Sequence, residues 1–348
     1  ACVAAVGERL AAVSDRPLPY EFRVINDSTP NAWALPGGKI AVNRGLLTEM
    51  QSEAELAAVL GHEIVHAAAR HSAQSMQRGM LLQGAVLAAG MAAGNSEYAG
   101  LAVGGATLAA GLVGQKYSRE AETESDYYGM LYMARAGYDP AAAVELQETF
   151  VRLSEGRQSN WLEGLFASHP PSAERVAANR RTVATLPTGG EVGRDRYRQV
   201  LAPLLAAGKA YAAYDQGRKE LGENRPERAL QLAADAIAIE PREALFYGLR
   251  GDALRKQGRE REAVAAFDQA LQRNADYFHY YLQRGLAYAA LGQSAAAQAD
   301  LERSNALLPT APALNALGQL ALAAGEQGQA LEYFSAAARS DSAAGKAA

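Results

Sequence analysis

Residues 60–72 read LGHEIVHAAARHS, which places His62, His66 and His71 within ten residues. The first two frame Glu63 as H-E-x-x-H. On a helix this spacing stacks two imidazoles one turn apart on one face, where they suit a single tetrahedral Zn2+. Glu63 points near the same face. It is badly placed to ligate as well, but it can reach a water beside the ion and move its proton. The competing reading is two surface histidines on an amphipathic helix, and a third ligand decides between them.

His71 is a poor third ligand. Five residues of helix rotate it by about 500°, roughly 140° away from His66. The H-E-x-x-H-x-x-G-x-x-H pattern turns the chain with a glycine, but here Ala69 and Ser72 occupy the glycine and last-histidine positions. The helix is therefore expected to run on, leaving His71 as a packing or hydrogen-bonding residue near the site. The better candidates lie in SREAETESDYYG, 118–129. Glu122 and Asp126, at i and i+4, share one helix face. One carboxylate can bind the ion while the other accepts the N–H of a ligating imidazole. The plainer reading is a solvated acidic face, since Glu120 and Glu124 are charged too.

Several elements must hold these groups. Ser52-x-x-Glu55 is a capping box that opens the helix carrying H-E-x-x-H. YEFRVI (20–25) reads as a strand, and NAWAL (31–35), PGG and KIAVN (39–43) as a hairpin with a glycine turn. A helix is expected from about 116 to Ala136, capped by Gly137, with another starting after Asp139-Pro140. The small apolar runs MLLQGAVLAAGMAA and AGLAVGGATLAAGLVG, within 80–114, have 14 and 16 residues. Both fall short of the roughly 20 that span a bilayer. They read as a tightly packed helical hairpin, or as a surface making peripheral contact with a membrane or a membrane-protein partner.

With 348 residues, the chain exceeds what one core usually supports, so two domains are expected. Apolar residues are 49%, charged residues 21% and aromatics 7%, with abundant alanine and leucine, which favours a globular and mostly helical chain. A net charge of −4 lacks a basic footprint, so no nucleic-acid partner is expected. Cys2 is the sole cysteine, which excludes an internal disulfide. The chain begins at Ala1 without a leader pattern, as after removal of a targeting segment. Its Ala-Cys start suits a lipid-anchored end at Cys2, against the plainer reading of an unmodified cysteine.

The last 140 residues repeat: Gly217, Gly251, Gly285 and Gly318 are spaced 34, 34 and 33 apart. Ala229, Ala263, Ala297 and Ala330 keep the same step, as do Ala236, Ala270, Ser304 and Ala337. Pro241 and Pro309 close two of the units. This period resembles the tetratricopeptide repeat, a helix–turn–helix that buries its face by stacking on its neighbours. Four units start near 210, 244, 278 and 311. LPTGGEVGRDRYRQ, 186–199, reads as the boundary.

HEIVHAAARH, ETESD, SHPPSAER (168–175) and the hairpin VINDSTPNAWALPGGKIAVNRGLL together resemble the M48 family of zinc metallopeptidases. With the repeats appended, the chain looks like the periplasmic bacterial envelope branch of that family. The resemblance implies a mainly α fold: a zincin-like domain with a small sheet over 1–185, a linker over 186–209, and an α-solenoid of four repeats over 210–348. It implies His62, His66 and Glu122 as ligands of one Zn2+, Glu63 as the catalytic carboxylate and Asp126 as the partner of a ligand. It also implies that His169 and Arg175 come close to the metal, opposite Glu63. Membrane-embedded relatives surround the site with transmembrane helices, whereas this chain has only 80–114 to offer.

These assignments imply hydrolysis of peptide bonds in misfolded or misassembled envelope proteins. His169 and Arg175 are the candidate donors to the oxyanion. Two other roles are open to His169: a cap contact at the following helix, or occupation of the metal's fourth position as a latch. The edge strand at Asn31, Ala32, Trp33 and Ala34 is the candidate for holding an extended polypeptide. The repeats, with Tyr247, Tyr277, Phe278, Tyr280 and Tyr281, would dock substrates, outer-membrane proteins or their assembly machinery. The alternative is a chaperone-like assembly factor whose peptidase site is latched and rarely active.

Overall fold

A computed structural model describes residues 2–71, 74, 117–156 and 168–339. The expectation for 80–114 lies outside the described residues. Among the described residues, no helix is long and apolar enough to cross a membrane. The chain forms two units, Ala1–Leu205 and Ala206–Ala348.

In the first unit, α1 (Cys2–Ala11) leads into β1 (Glu21–Ile25), β2 (Ala32–Leu35) and β3 (Lys39–Asn43). The sheet order is β1-β3-β2, with β1 parallel and β2 antiparallel to β3, so the expected hairpin forms and β2 is an edge. A short α2 (Arg44–Leu47) precedes α3 (Glu53–Ala68). The capping box closes α3 as expected: Ser52 Oγ accepts from Glu55 N at 3.1 Å, and Glu55 Oε2 accepts from Gln51 N at 2.6 Å. Leu56, Leu60 and Ile64 are fully buried, so α3 is the core helix of the unit.

The helix predicted downstream is α4 (Arg119–Arg135), capped by Ser118 Oγ. Gly137, at φ 81°, ends it with bonds from Gly137 N to Ala134 O (3.0 Å) and from Tyr138 N to Met133 O (2.9 Å). α3 and α4 meet backbone to backbone. A Cβ on Gly61 would lie 3.1 Å from Gly129 O, and one on Gly129 would lie 3.0 Å from His62 N. That crossing, one residue from His62, brings Glu122 and Asp126 over the histidines. α5 (Ala141–Gly156) and α6 (Ala173–Val183) complete the surround.

The division of the chain falls between Leu205 and Ala206, inside the stretch 186–209 read as linker or boundary, but that stretch is not extended chain: residues 194–206 form α7 (Arg194–Ala206). Tyr197 and Leu201, one turn apart, are buried, and Tyr197 Oη donates to Leu47 O at 2.8 Å. Arg196 pairs with Glu53 at the start of α3, and Val192 O accepts from Ala54 N. The Gly-rich, charged composition hid this single apolar stripe.

The second unit is built from α8 (Gly208–Gly222), α9 (Pro226–Ile239), α10 (Ala244–Lys256), α11 (Glu260–Arg273), α12 (Phe278–Ala290), α13 (Ser294–Leu307), α14 (Ala311–Ala323) and α15 (Gln327–Ala338). They pack as successive pairs, each against the next. The periodic glycines mark close approaches: a Cβ on Gly251 would meet Phe267 Cε1 at 2.6 Å. The periodic small residues, Ala229 to Ala330 and Ala236 to Ala337, are all buried. Of the aromatics, Tyr247 and Tyr280 are core, whereas Tyr277 is exposed.

Candidate metal centre

α3 delivers His62, Glu63 and His66, α4 delivers Glu122 and Asp126, and the stretch before α6 delivers His169. One ligand atom each from His62, His66, Glu122 and His169 lies within 4.8 Å of all the others. His62 Nε2 is 3.0 Å from His66 Nε2, 3.3 Å from His169 Nδ1 and 3.6 Å from Glu122 Oε2. Glu122 Oε1 is 3.3 Å from His66 Nε2 and 2.9 Å from His169 Nδ1.

The chemistry of this donor set fits a cation. Asp126 Oδ1 lies 2.9 Å from His62 Nδ1. A carboxylate only accepts, so the proton sits on Nδ1 and Nε2 presents a lone pair to the cluster. Bare imidazole nitrogens and a buried carboxylate converging without a positive charge would repel one another. Donor atoms about 2.0–2.1 Å from one tetrahedral ion are about 3.3 Å apart, close to the observed separations.

The carboxylates draw positive charge into the cluster. Burial works against a charged His62, yet Glu122 and Asp126 outweigh it and lift His62 to about 10, so a proton competes with a cation for its Nε2, while burial pushes His66 well down. Burial opposes the charged Glu122, but His169 and His62 hold it far below the carboxylate range. Glu63 moves the other way: burial raises it, against the pull of His169 and His62. Its Oε2 and the Nε2 of His169 are buried without hydrogen-bond partners.

Arg175 lies beside the cluster. Its Nε and Nη2 donate to the two oxygens of Asp126, each at 2.8 Å, and Nη1 donates to Pro170 O at 3.1 Å and lies 2.8 Å from Glu122 Oε2. These contacts turn the guanidinium towards the two carboxylates. Against the expectation that α3 runs on, it breaks at Arg70 with φ 60° and no glycine, and Arg16 Nη1 donates to Ala68 O at 2.9 Å. His71 is nonetheless a hydrogen-bonding neighbour of the site and not a member of the cluster, as its position suggests. The turn brings His71 Nδ1 to 3.0 Å from His66 Nδ1, on the side away from the cluster. Tyr117, which sequence reasoning missed, stacks on the His66 ring at 4.0 Å between centroids. Nothing in its local sequence marks it beyond standing before the Ser118 cap.

β2 runs beside Glu63. Asn43 N donates to Asn31 O at 2.8 Å, so in the antiparallel alternation Trp33 faces β3 with its main chain, while Ala32 and Ala34 turn theirs to the free edge. Ala34's amide bonds to the Glu63 carboxylate, and Asn31 Oδ1 accepts from Ala32 N at 2.9 Å. Next to Glu63 and His169 lies an apolar cavity of about 60 Å3, walled by Ala58, Met130, Met133, Leu146 and Phe150.

A model of the tetratricopeptide repeat matches residues 244–277 and 278–307. The chain is 40% identical over 176 residues to the mitochondrial metalloendopeptidase OMA1 of Schizosaccharomyces pombe, covering 50% of each. It is 35% identical over 199 residues to the putative beta-barrel assembly-enhancing protease of Vibrio cholerae, covering 52% of this chain and 38% of that one. To the beta-barrel assembly-enhancing protease of Escherichia coli it is 28% identical over 241 residues, covering 64% of this chain and 47% of that one. The chain thus spans half or less of the length of these relatives. The model of peptidase family M48 matches residues 1–183, more than half of the chain and all of the elements that carry the cluster. This chain therefore belongs to peptidase family M48.

Proposed function

We propose that the chain is a zinc-dependent endopeptidase of the bacterial envelope, with His62, His66 and Glu122 as ligands and Glu63 as the proton carrier. The observation that carries this reading is the buried Glu63 carboxylate, raised above its ordinary range, beside a cation-shaped donor set and the edge strand β2. When bound, Zn2+ supplies positive charge that polarises a scissile carbonyl and acidifies water. Glu63 takes the proton of the attacking water and hands it to the leaving amine. Its raised affinity for protons suits both steps. His169, whose Nδ1 donates to Glu122 Oε1 at 2.9 Å, turns Nε2 towards Glu63 and serves the developing oxyanion when both of its nitrogens carry protons. Arg175 clamps Asp126, and Asp126 orients His62.

The substrate main chain pairs with Ala32 and with the Ala34 carbonyl along the β2 edge, with Asn31 releasing the Ala32 amide and the Ala34 amide staying on Glu63. The cavity beside Glu63 takes one apolar side chain of about leucine or methionine size. The repeats dock the polypeptide or a partner. The similarity to two beta-barrel assembly-enhancing proteases supports outer-membrane proteins, or the machinery that assembles them, as those partners, and such partners would place the chain in the periplasm.

A second reading, a latched site in a chaperone-like factor, is favoured by one observation: His169 Nδ1 sits within the cluster itself. One experiment tests both. Bound zinc and casein cleavage are measured for the wild type, Glu63→Gln and His169→Ala. Stoichiometric zinc with cleavage lost by about 100-fold or more in Glu63→Gln supports the peptidase. Cleavage that rises in His169→Ala identifies a latch, and cleavage that falls identifies oxyanion support. A wild type that takes up no zinc refutes the metal centre.

A further inference from the structure

Two carboxylates of α4 address the two histidines of α3, by routes of different length. Asp126 reaches His62 directly. Glu124 reaches His66 through His71: Glu124 Oε2 is 3.4 Å from His71 Nε2, and His71 Nδ1 is 3.0 Å from His66 Nδ1. The polarity of this chain follows from its outer end. A carboxylate cannot donate, so the His71 proton sits on Nε2, facing Glu124. A neutral His71 then has only a lone pair at Nδ1, and it must accept. The donor to it is the N–H at Nδ1 of His66. That leaves His66 Nε2 bare, and Nε2 is the atom that faces His62 and Glu122.

We infer that His71 and Glu124 are positioning residues that select the His66 tautomer and orient its ring for metal binding; this rests on the proposed role of His66 as a ligand. The left-handed turn at Arg70 exists at a cost, since a non-glycine residue is disfavoured there, and its consequence is to fold His71 back onto His66. His71 is buried, and its carboxylate partner is about half exposed, so the chain runs from the surface to the centre. Tyr117, stacked on the His66 ring face, restrains tilt, which leaves rotation in the ring plane to be set by the Nδ1 contact.

The test uses the full chain and reads metal binding rather than turnover. Zn2+ affinity, by chelator competition, and the visible absorption of Co2+-loaded protein are compared for wild type, His71→Asn, His71→Leu and Glu124→Ala. Asn and Leu have nearly the same shape, but only Asn offers an oxygen where His71 Nδ1 stands. His71→Leu should bind Zn2+ about 10- to 100-fold more weakly, with a shifted Co2+ spectrum. His71→Asn should recover most of both, and Glu124→Ala, which removes the acceptor, should show a smaller loss in the same direction. Equal affinities and spectra for the Asn and Leu variants would overturn the inference, because packing alone would then explain His71. Should both His71 variants misfold, Glu124→Ala decides, since its site is half exposed, and wild-type behaviour there overturns the chain. A wild type that binds no Zn2+ removes the metal centre itself. Tight wild-type binding that these substitutions leave untouched removes only the inference.

Discussion

The two units bury different kinds of residue. The repeats bury alanine at nearly every helix crossing, with Phe246, Phe267, Tyr280 and Leu301 filling the gaps. The peptidase unit buries Glu63, His66, Glu122, Asp126 and Arg175 together. Burying a charge costs several kcal/mol unless it is paired and hydrogen-bonded. The first unit meets that cost with a dense set of contacts between carboxylates, imidazoles and one guanidinium. The second gains stability mainly by repeating one apolar contact, and its buried carboxylates, Glu220 and Asp300, are separate and each held by one arginine, Arg225 and Arg284. The candidate site therefore sits where buried charges from several elements converge, an arrangement not found among the described residues of the repeats.

This contrast can be broken by substitution. Both tryptophans, Trp33 and Trp161, precede residue 206, so their fluorescence follows the first unit alone, while far-UV circular dichroism follows both. The largest effect is expected for Asp126→Ala, which strands Arg175 and frees His62 Nδ1. Breaking a buried pair costs about 3–5 kcal/mol, so the tryptophan transition in denaturant should fall sharply while the repeat transition holds. Equal losses in both transitions would show that the units do not differ as described.

Acid gives the next largest effect. Burial opposes the charged Asp126, but the bonds from His62 and Arg175 outweigh it and depress Asp126 from 3.8 to about 2. A depressed carboxylate contributes stability that is fully present above its unfolded value and lost as pH falls through the folded one. Asp126 should therefore withdraw about 2 kcal/mol of stability from the metal-free first unit between about pH 5 and pH 2. Tryptophan-monitored unfolding of Asp126→Asn should lose that share of the acid dependence and keep the share that belongs to Glu122.

A smaller loss is expected for Gly251→Ala, whose Cβ would press on Phe267. Overpacking of this kind costs about 1–3 kcal/mol. It should appear by circular dichroism only, with zinc uptake and the tryptophan signal unchanged. The smallest effect is expected for Arg259→Ala, which removes an exposed pair with Glu262 and should leave the unfolding midpoint where it was.

Much of the site could be read without coordinates. The H-E-x-x-H spacing, the Ser52 cap, the Glu122–Asp126 pair and the Gly137 stop are local features, and each appears where its residues predict. What stayed hidden depended on distant partners. Arg175 carries no local sign that it will hold Asp126. His71 could be read as a neighbour of the site and not a ligand, but nothing in Ala69-Arg70 announces the left-handed turn that folds it back onto His66. Tyr197 and Leu201 in a charged, glycine-rich stretch became core only because α3 and Leu47 stand opposite.

The sequence by itself determined the periods: 34 residues for the repeats, four for the histidines and four for the carboxylates. Periodicity is set by backbone geometry, which is the same in every helix. Only the tertiary structure decided which nitrogen of each histidine is bare. That choice depends on where α4 crosses α3, and the crossing depends on Gly61 and Gly129, two residues without side chains lying 68 positions apart. A proton's position on an imidazole is fixed by the partner it meets, and the partner arrives only when the chain has folded.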